Sequence, residues 1–317
     1  MKRLVAATFL LLVTLGVAAP DAARKPIVIA PGVTVGGVRV GGLTSEPART
    51  RVEKAFARPL RLRFGQKRWR ISPRYLGANA AIDRAVSRAL EAGPRARVSL
   101  GVSATRPPIR RYVQRLNRLF SREPVNASVV GVARGRPTFT DAKPGLAVRR
   151  DEMTNAITYM LRTNRRTPVE LITKPVPASV TADNFGPVIV VFRDSKRLTL
   201  FDGRRAVRTF PIATGQPQYP TPTGNYSIAT MQRDPWWIPP PDSDWAQGAK
   251  PIPPGPGNPL GTRWMGTTAP LVGIHGTPDA ASIGYSASHG CIRMRVPDAE
   301  ALFGQVEVGT PVLIVAA

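Results

Sequence analysis

The pattern of apolar and polar positions divides the chain into two regions. Between residues 27 and 180, apolar residues recur every three or four positions over 80–92, 109–122 and 151–161, which predicts helices. Residues 60–71 (LRLRFGQKRWRI) alternate apolar and polar side chains, which predicts a strand or hairpin. The mixture of short elements predicts an α+β domain over 27–180.

From Pro187 onwards the pattern changes to β-rich runs. Three such runs follow each other, with turns at 194–196 and at Asp202-Gly203, which predicts a β meander. The sequence of residues 271–274 predicts a strand that ends at His275. Residues 297–303 are predicted to form a short helix, and residues 311–315 are predicted to form a closing strand. The fold class expected is therefore a mainly β domain over 187–317, a β sandwich or barrel, preceded by the α+β domain.

One segment of the second region, residues 220–261, is dense in proline and tryptophan and is too long for an ordinary connection. Loops of this length usually serve a functional site. Four of the five tryptophans lie between 236 and 264, namely Trp236, Trp237, Trp245 and Trp264. They predict either a groove for an extended substrate or a lid that packs on the β core, and the two interpretations are compatible.

The N-terminus predicts export. Lys2 and Arg3 precede a nearly unbroken apolar run over 4–19, which is typical of a secretory signal segment, here placed at 1–23. The run is shorter than the roughly 20 residues that span a bilayer. Cleavage after Ala19 would leave Pro20 first, which signal peptidases disfavour, so retention as a membrane anchor stays open.

The formal charge is +25, from 45 Lys and Arg against 20 Asp and Glu. Such a surface favours polyanions, among them an acidic cell-wall polymer, although a general arginine bias in composition would also produce it. No usual nucleic-acid-binding motif is present, and no nucleic-acid partner is expected.

The rarest reactive side chains are concentrated in one place. The chain has two histidines and one cysteine, His275, His289 and Cys291, and all three fall within 17 residues. A single cysteine cannot form an internal disulfide, so the thiol is either a reactive centre or a buried apolar residue. The neighbouring histidines favour a nucleophile with its base.

The order Ser288-His289-Gly290-Cys291 suggests how the chemistry is arranged. The backbone N–H groups of Gly290 and Cys291 can stabilise the oxyanion formed when the thiol attacks a carbonyl. His275 is the candidate base, and its second ring nitrogen needs an acceptor, either the Gly276 carbonyl or Asp279.

Other interpretations of these residues stay open. His289 is favoured as a residue that supports the loop, since a nucleophile needs one base. Arg293 either holds a substrate carboxylate and lowers the thiol pKa or is structural. The two histidines and the cysteine could also bind zinc, but no fourth ligand is evident, and neither a metal nor another cofactor is expected.

The same residues resemble the YkuD-type L,D-transpeptidase family of bacterial cell-wall enzymes. The family pattern appears as His275-Gly276-Thr277 followed by the stretch 288–294, SHGCIRM. The stretches TPTGNYSI (221–228), PWWIPPP (235–241) and NPLGTRWMG (258–266) also resemble that family. More weakly, residues 32–48, 69–77, 81–90 and 143–153 resemble a peptidoglycan-binding domain that precedes some of these catalytic domains.

The resemblance implies a role for each motif residue. Cys291 would be the nucleophile, His275 its base, and the Gly276 carbonyl the group that orients His275. Gly290 and Cys291 amides would bind the oxyanion, with His289 supporting the site. Residues expected to contact substrate are Ser288, Arg293, Trp237 and Trp264.

The resemblance also implies the reaction. Family members attack peptidoglycan peptide stems between a diamino acid at position three and D-Ala at position four, release D-Ala, and pass the acyl group from a thioester to an amine as a 3–3 cross-link. Carbapenems are expected to acylate the thiol. The alternatives are an L,D-carboxypeptidase, in which water replaces the amine, and a wall-binding protein without activity.

Overall fold

The computed structural model describes residues 27–241 and 243–317. The signal segment expected at 1–23 lies outside these residues. Among the residues described, no helix combines the length and apolar character needed to cross a membrane. The chain forms two compact units, residues 27–115 with 150–172, and residues 116–149 with 173–317.

The helices are α1 Ser45–Ala57, α2 Ile82–Leu90, α3 Arg106–Phe120, α4 Arg150–Arg162 and α5 Val296–Phe303. Short 3-10 helices occupy Asp244–Ala246 and Ala280–Ser282. The three helices predicted from the spacing of apolar residues in the first region are confirmed as α2, α3 and α4.

The strands before residue 187 are short: β1 Thr34–Val35, β2 Val38–Arg39, β3 Leu60–Phe64, β4 Lys67–Ile71, β5 Ala78–Ala80, β6 Arg97–Val98, β7 Val102–Ala104, β8 Val129–Ala133, β9 Arg136–Phe139, β10 Gly145–Val148, β11 Val169–Glu170 and β12 Thr173–Val176.

The later strands are β13 Pro187–Phe192, β14 Arg197–Asp202, β15 Arg205–Pro211, β16 Thr214–Gly215, β17 Gly224–Arg233, β18 Arg263–Thr267, β19 Gly273–Thr277, β20 Ser286–Ser288, β21 Ile292–Arg295 and β22 Pro311–Val315. The meander predicted from residue 187 is confirmed as β13–β14–β15.

The first unit contains a three-stranded sheet in the order β11-β3-β4. Leu60 and Leu62 of β3 are buried on one face of this sheet, whereas Arg61 and Arg63 between them are exposed on the other. This alternation is what a half-buried strand requires, and the hairpin predicted over 60–71 is confirmed as β3–β4.

The second unit is built on an eight-stranded sheet in the order β15-β14-β13-β22-β17-β18-β19-β21. Its two ends meet, because Ala213, just after β15, exchanges two backbone hydrogen bonds of 2.9 Å with Arg293 of β21. The sheet is therefore nearly closed into a barrel-like structure, with one bridge between its two end strands. This agrees with the mainly β fold expected for this region.

Strand β13 is buried on both faces, which explains its unbroken apolar sequence. Ile189 and Val191 point into the main core. Val188, Val190 and Phe192 form a second cluster on the opposite face. Partly buried residues packed against this second cluster come from the β8–β9 hairpin and residue 185: Val129, Val132, Phe139 and Phe185.

The strand around His275 extends further than the sequence predicts. His275 is the middle residue of β19 and does not end it. The reason is pairing with β21, because the parallel register continues through Gly276 and Thr277 after the antiparallel register with β18 ends at His275.

Candidate active site

Strand register brings the candidate reactive residues to one side of the barrel. In the β19–β21 pair, Ile274 lies opposite Ile292, and both side chains are in the core. Since side chains alternate along a strand, His275 points away from the core, as do the residues on either side of Ile292, Cys291 and Arg293. All three border one cavity of about 620 Å³ within the second unit.

The cavity is lined mainly by apolar side chains and prolines, with a few polar groups. Its other lining residues include Trp236, Trp237, Ile238, Pro239, Pro240, Pro241, Trp245, Leu260, Trp264, Leu271, Ser288 and His289. An apolar cleft with a few convergent polar groups is the usual form of a small-molecule or peptide site.

His275 is 4% exposed and its ring is fixed by its own strand. Nδ1–H donates a hydrogen bond of 2.6 Å to the Gly276 carbonyl oxygen. A carbonyl only accepts, so the proton sits on Nδ1 and Nε2 keeps its lone pair. Burial lowers the pKa of His275 to about 4, against an opposing effect of the Gly276 hydrogen bond, and the charge of Arg293 lowers it further. The ring is therefore a neutral base at physiological pH.

The surroundings of Cys291 favour the protonated thiol over the thiolate. Burial raises its pKa, while a hydrogen bond with the Gly273 backbone and the charge of Arg293 act in the opposite direction. Sγ–H donates to the Leu271 carbonyl oxygen at 3.6 Å. Leu271 has φ 59° and is 67% exposed, so an apolar residue takes a strained left-handed conformation beside the Cys291 thiol.

The loop that carries the thiol is stabilised from within. Gly290 has φ 110°, a region that side-chain-bearing residues rarely adopt. Ser288 is 1% exposed; its hydroxyl donates to the Cys291 carbonyl oxygen at 2.5 Å and accepts from the Gly290 N–H at 3.2 Å. The Ser288 side chain thus contacts the loop itself, and the Gly290 amide already has an acceptor within the protein.

Thr221 connects this loop to the barrel. The motif TPTG that contains it predicts no role for the threonine from sequence alone. The side chain is fully buried. Its hydroxyl accepts from Gly215 N–H at 2.8 Å and donates to the Gly290 carbonyl oxygen at 2.9 Å. A threonine buried this completely within a loop motif is found only once the fold is known.

His289 is partly buried and contacts two aromatic rings. The Trp245 ring stacks on it at 4.0 Å between centroids and 4° between planes, and Tyr219 meets it edge-on at 5.1 Å. Tyr219 in turn donates from its hydroxyl to the Asp244 carboxylate at 2.8 Å. The His289 ring therefore joins the loop that carries Cys291 to the 3-10 helix Asp244–Ala246.

Trp264 covers His275 from the neighbouring strand β18. The two rings stack with centroids 5.8 Å apart, and Trp264 and His275 are direct partners in the strand register. Gly273 makes this possible, because a Cβ there would lie 2.3 Å from the Trp264 ring. The indole therefore lies flat on the backbone and forms part of the cavity wall.

Asn258 holds the proline- and tryptophan-rich segment, residues 234–241 and 243–261, in place. The side chain is fully buried, and its amide nitrogen donates to the carbonyl oxygens of Pro235, Ile252 and Pro253 at 2.8 to 3.2 Å. Its oxygen accepts from Leu260 N–H at 2.8 Å. Since prolines supply no N–H donors, the buried amide provides a donor to the Pro235 and Pro253 carbonyls, and it adds a second donor to the Ile252 carbonyl, which also accepts from Trp237 N–H at 3.0 Å.

Arg293 lies at the edge of the cavity, with 22% of its side chain exposed, and forms a long ion pair of 4.0 Å with Asp279. Its charge lowers the pKa of His275, His289 and Cys291. The sequence left two candidate acceptors for the second ring nitrogen of His275, the Gly276 carbonyl and Asp279. In the structure the Gly276 carbonyl contacts His275, whereas Asp279 pairs with Arg293. Within 27–241 and 243–317, no three His, Cys, Asp or Glu side chains gather as a metal site would require.

Comparisons with known proteins concern the second unit. The family described as the L,D-transpeptidase catalytic domain, YkuD, matches residues 186–314. YkuD of Bacillus subtilis, a protein named as an L,D-transpeptidase, is 36% identical over 126 residues, which is 40% of this chain and 64% of that protein. YqjB of the same species, named likewise, is 33% identical over 133 residues, 40% of this chain and 70% of that protein.

Solved structures were compared as well. An L,D-transpeptidase of Enterococcus faecium is 18% identical with a TM-score of 0.37, covering 83% of this chain and 97% of that one. L,D-transpeptidase 3 of Mycobacterium tuberculosis, solved with a faropenem-derived adduct, is 20% identical with a TM-score of 0.34, covering 45% of this chain and 66% of that one.

Proposed function

Because this chain belongs to the YkuD-type L,D-transpeptidase family, we propose that it cross-links peptidoglycan peptide stems through a thioester on Cys291. The observation that carries the proposal is the pairing of a thiol with a neutral, oriented imidazole in one cavity. The Nδ1–H bond to Gly276 leaves Nε2 of His275 free to accept a proton, and a nucleophile with an adjacent base performs acyl transfer.

In the acylation half-reaction, His275 Nε2 takes the Cys291 proton as Sγ attacks the carbonyl carbon of the diamino acid at stem position three. The oxyanion is stabilised by the backbone amides of Gly290 and Cys291. Collapse breaks the bond to D-Ala, whose amine leaves with the proton from His275. A thioester remains.

In the second half-reaction, an amine from a neighbouring stem attacks the thioester carbonyl and gives its proton to His275. The carbon–sulfur bond breaks and Sγ regains the proton. The product is a 3–3 cross-link, and the enzyme returns to its thiol and neutral imidazole. Every step uses one base, in agreement with a supporting role for His289 between Trp245 and Tyr219.

The Gly290 amide donates to Ser288 Oγ at 3.2 Å, a long hydrogen bond. A substrate oxyanion can compete with Ser288 Oγ for this amide because the existing bond is long, while the bond from Ser288 to the Cys291 carbonyl oxygen at 2.5 Å keeps the loop in place. Ser288 thus positions the loop, and it also borders the cavity in which the substrate is proposed to bind.

Trp237 and Trp264 form walls for the stem peptide. The partly exposed guanidinium of Arg293 is placed to bind a stem carboxylate, since a planar guanidinium can form two parallel hydrogen bonds with one carboxylate.

The reaction takes place outside the cytoplasm. The support is the sequence of the first 23 residues, with Lys2 and Arg3 before an apolar run. The 27–180 region is proposed to bind the wall. Fractionation of cells that produce the full chain, with N-terminal sequencing of the mature form, decides between a cleaved signal and a retained anchor.

The deciding experiment is intact-mass analysis after incubation with a carbapenem and, separately, with a disaccharide-tetrapeptide. We expect a carbapenem adduct on the wild-type protein and a dimeric cross-linked product, and neither with Cys291→Ala. Thr199→Ala, a variant in the same barrel outside the cavity, is the matched control for folding and should retain both.

A trimmed tripeptide without dimer would instead assign L,D-carboxypeptidase activity. A folded protein with a titratable thiol that forms no adduct and no product would contradict the proposal and favour a wall-binding protein without activity.

A further inference from the structure

The excess positive charge of this chain is concentrated in its first unit. Residues 27–115 and 150–172 contain 23 Lys and Arg against 7 Asp and Glu, whereas residues 116–149 and 173–317 contain 18 against 12. A compositional bias acting on the whole chain would not produce this difference. The excess positive charge of the first unit therefore needs a separate explanation.

Four arginines form a regular array on the β3–β4 hairpin, here called the arginine face: Arg61, Arg63, Arg68 and Arg70. In the strand register, Arg61 lies opposite Arg70 and Arg63 opposite Arg68. Residues two apart share a face of a strand, so all four project from the same side of the sheet. All four are exposed.

The opposite face of the hairpin packs against the rest of the unit and stabilises the fold, whereas the arginine face is exposed and contributes no buried contacts. Leu60 and Leu62 are buried, and Trp69, opposite Leu62, donates from Nε1 to the Tyr112 hydroxyl at 2.8 Å. Like charges directly opposite each other on neighbouring strands are destabilising. Two such pairs side by side therefore lower stability unless a ligand of opposite charge compensates for them.

Within the described part of the chain, the surroundings supply a carboxylate to one of the four arginines only. The acidic residue paired in the adjacent strand is Glu170 of β11, which forms an ion pair with Arg63 at the side of the array. Arg61 donates to the Arg166 backbone carbonyl oxygen at 3.1 Å, so its partner is neutral. Among the described residues, Arg68 and Arg70 on the edge strand β4 have no acidic partner.

We propose that the arginine face binds a linear phosphodiester polymer of the cell envelope. Guanidinium groups match phosphate oxygens with paired hydrogen bonds. The Cβ atoms of neighbouring arginines are about 5 Å apart across the strands, and residues two positions apart are about 7 Å apart along a strand. A flexible chain of phosphates can therefore pass over all four side chains. The site would hold the chain at the wall, and it does not depend on the chemistry at Cys291.

The test measures binding of the purified protein to poly(glycerol phosphate) by titration at several salt concentrations. The test variant carries Arg61→Gln, Arg63→Gln, Arg68→Gln and Arg70→Gln together. We expect about tenfold or greater loss of affinity and a shallower dependence of log Kd on log salt, because fewer counterions are released. Its unfolding midpoint should not fall, since two repulsive pairs are removed.

The matched control removes four other exposed arginines of the same unit, with Arg74→Gln, Arg84→Gln, Arg110→Gln and Arg111→Gln. It has the same net charge as the test variant and should keep most of the affinity. Equal loss in both variants would overturn the proposal, because net charge alone would then explain binding. Carbapenem acylation at the wild-type rate in both variants separates this result from any failure at Cys291.

Three further ligands test the chemistry of the polymer. Polyglutamate tests carboxylates, anionic phospholipid vesicles test a membrane surface, and single-stranded DNA tests another phosphodiester chain. Weaker binding of all three than of poly(glycerol phosphate) supports the proposal. Tighter binding of any of them, with loss in the test variant, would overturn it and assign the arginine face to that ligand.

Discussion

Burial of His275 sets the pH range in which its ring is neutral and able to accept a proton. Its pKa lies at about 4, lowered mainly by burial, whereas an unperturbed histidine titrates near 6.5. Because the pKa of His275 is lowered, its neutral form persists as pH falls and is lost only near pH 4. We therefore expect the rate of carbapenem acylation, measured by mass, to stay level from pH 7 to about pH 5 and to fall by half near pH 4.

Arg293→Gln provides a variant for the same measurement. The charge of Arg293 lowers the pKa of His275, so its removal should move the midpoint of the pH profile upward. Arg295→Gln, an exposed position two residues along β21, is the matched control and should leave the midpoint in place. A wild-type midpoint between pH 6 and 7 would contradict the assignment of a buried His275 as the base.

Thr221→Val tests the hydroxyl that joins the nucleophile loop to the barrel. Valine has the same shape but leaves Gly215 N–H and the Gly290 carbonyl without their partner in a buried site. We expect a loss of about 1–3 kcal/mol in the free energy of unfolding, measured in urea, and slower acylation of Cys291.

Thr221→Ser is the control, because it keeps the hydroxyl. It should restore the acylation rate even where the lost methyl group lowers stability. If Thr221→Val and Thr221→Ser acylate equally slowly, the methyl group and not the hydrogen bonds positions the loop.

At the scale of elements, the proline- and tryptophan-rich segment depends on the Asn258 side chain. Asn258→Asp is nearly isosteric, but it replaces an amide donor with oxygen facing three carbonyl oxygens. We expect the segment to open, with faster chymotrypsin cleavage after Trp245 and a higher KM for the stem peptide. Asn225→Asp, an exposed amide on β17 with one hydrogen bond to Val130, should change neither. Unchanged cleavage in Asn258→Asp would show that packing of the tryptophans alone holds the segment.

At the scale of the whole molecule, the boundary at residue 187 expected from the sequence leaves an apolar surface uncovered. The cluster of Val188, Val190 and Leu313 is packed against residues of the β8–β9 hairpin, which belongs to the same compact unit. A fragment of residues 187–317 should therefore bind a hydrophobic dye and aggregate where the full chain does not.

Val188→Thr and Val190→Thr in that fragment serve as the control. These substitutions keep the shape of the side chains and make the exposed face more polar, so solubility should improve. A fragment that is soluble and dye-free without them would support residue 187 as a sufficient boundary.

Periodicity alone determined a large part of the fold. The alternation over 60–71 and the apolar runs from residue 187 are local patterns, and a strand or helix forms locally wherever such a pattern can bury one face. The spacing of His275, His289 and Cys291, together with the surrounding glycines, was likewise sufficient to identify the family, because these motifs are contiguous in sequence.

Only the tertiary structure decided which distant residues meet. The closure of the barrel between Ala213 and Arg293, the contact of Thr221 with Gly290, the stacking of Trp245 on His289, and the array of four arginines across β3 and β4 all depend on strand register and on loops folding back. The lowered pKa of His275 belongs with them, since burial is a property of the packed molecule and not of the residue. Local sequence sets each strand's two faces, and packing then decides what each face meets.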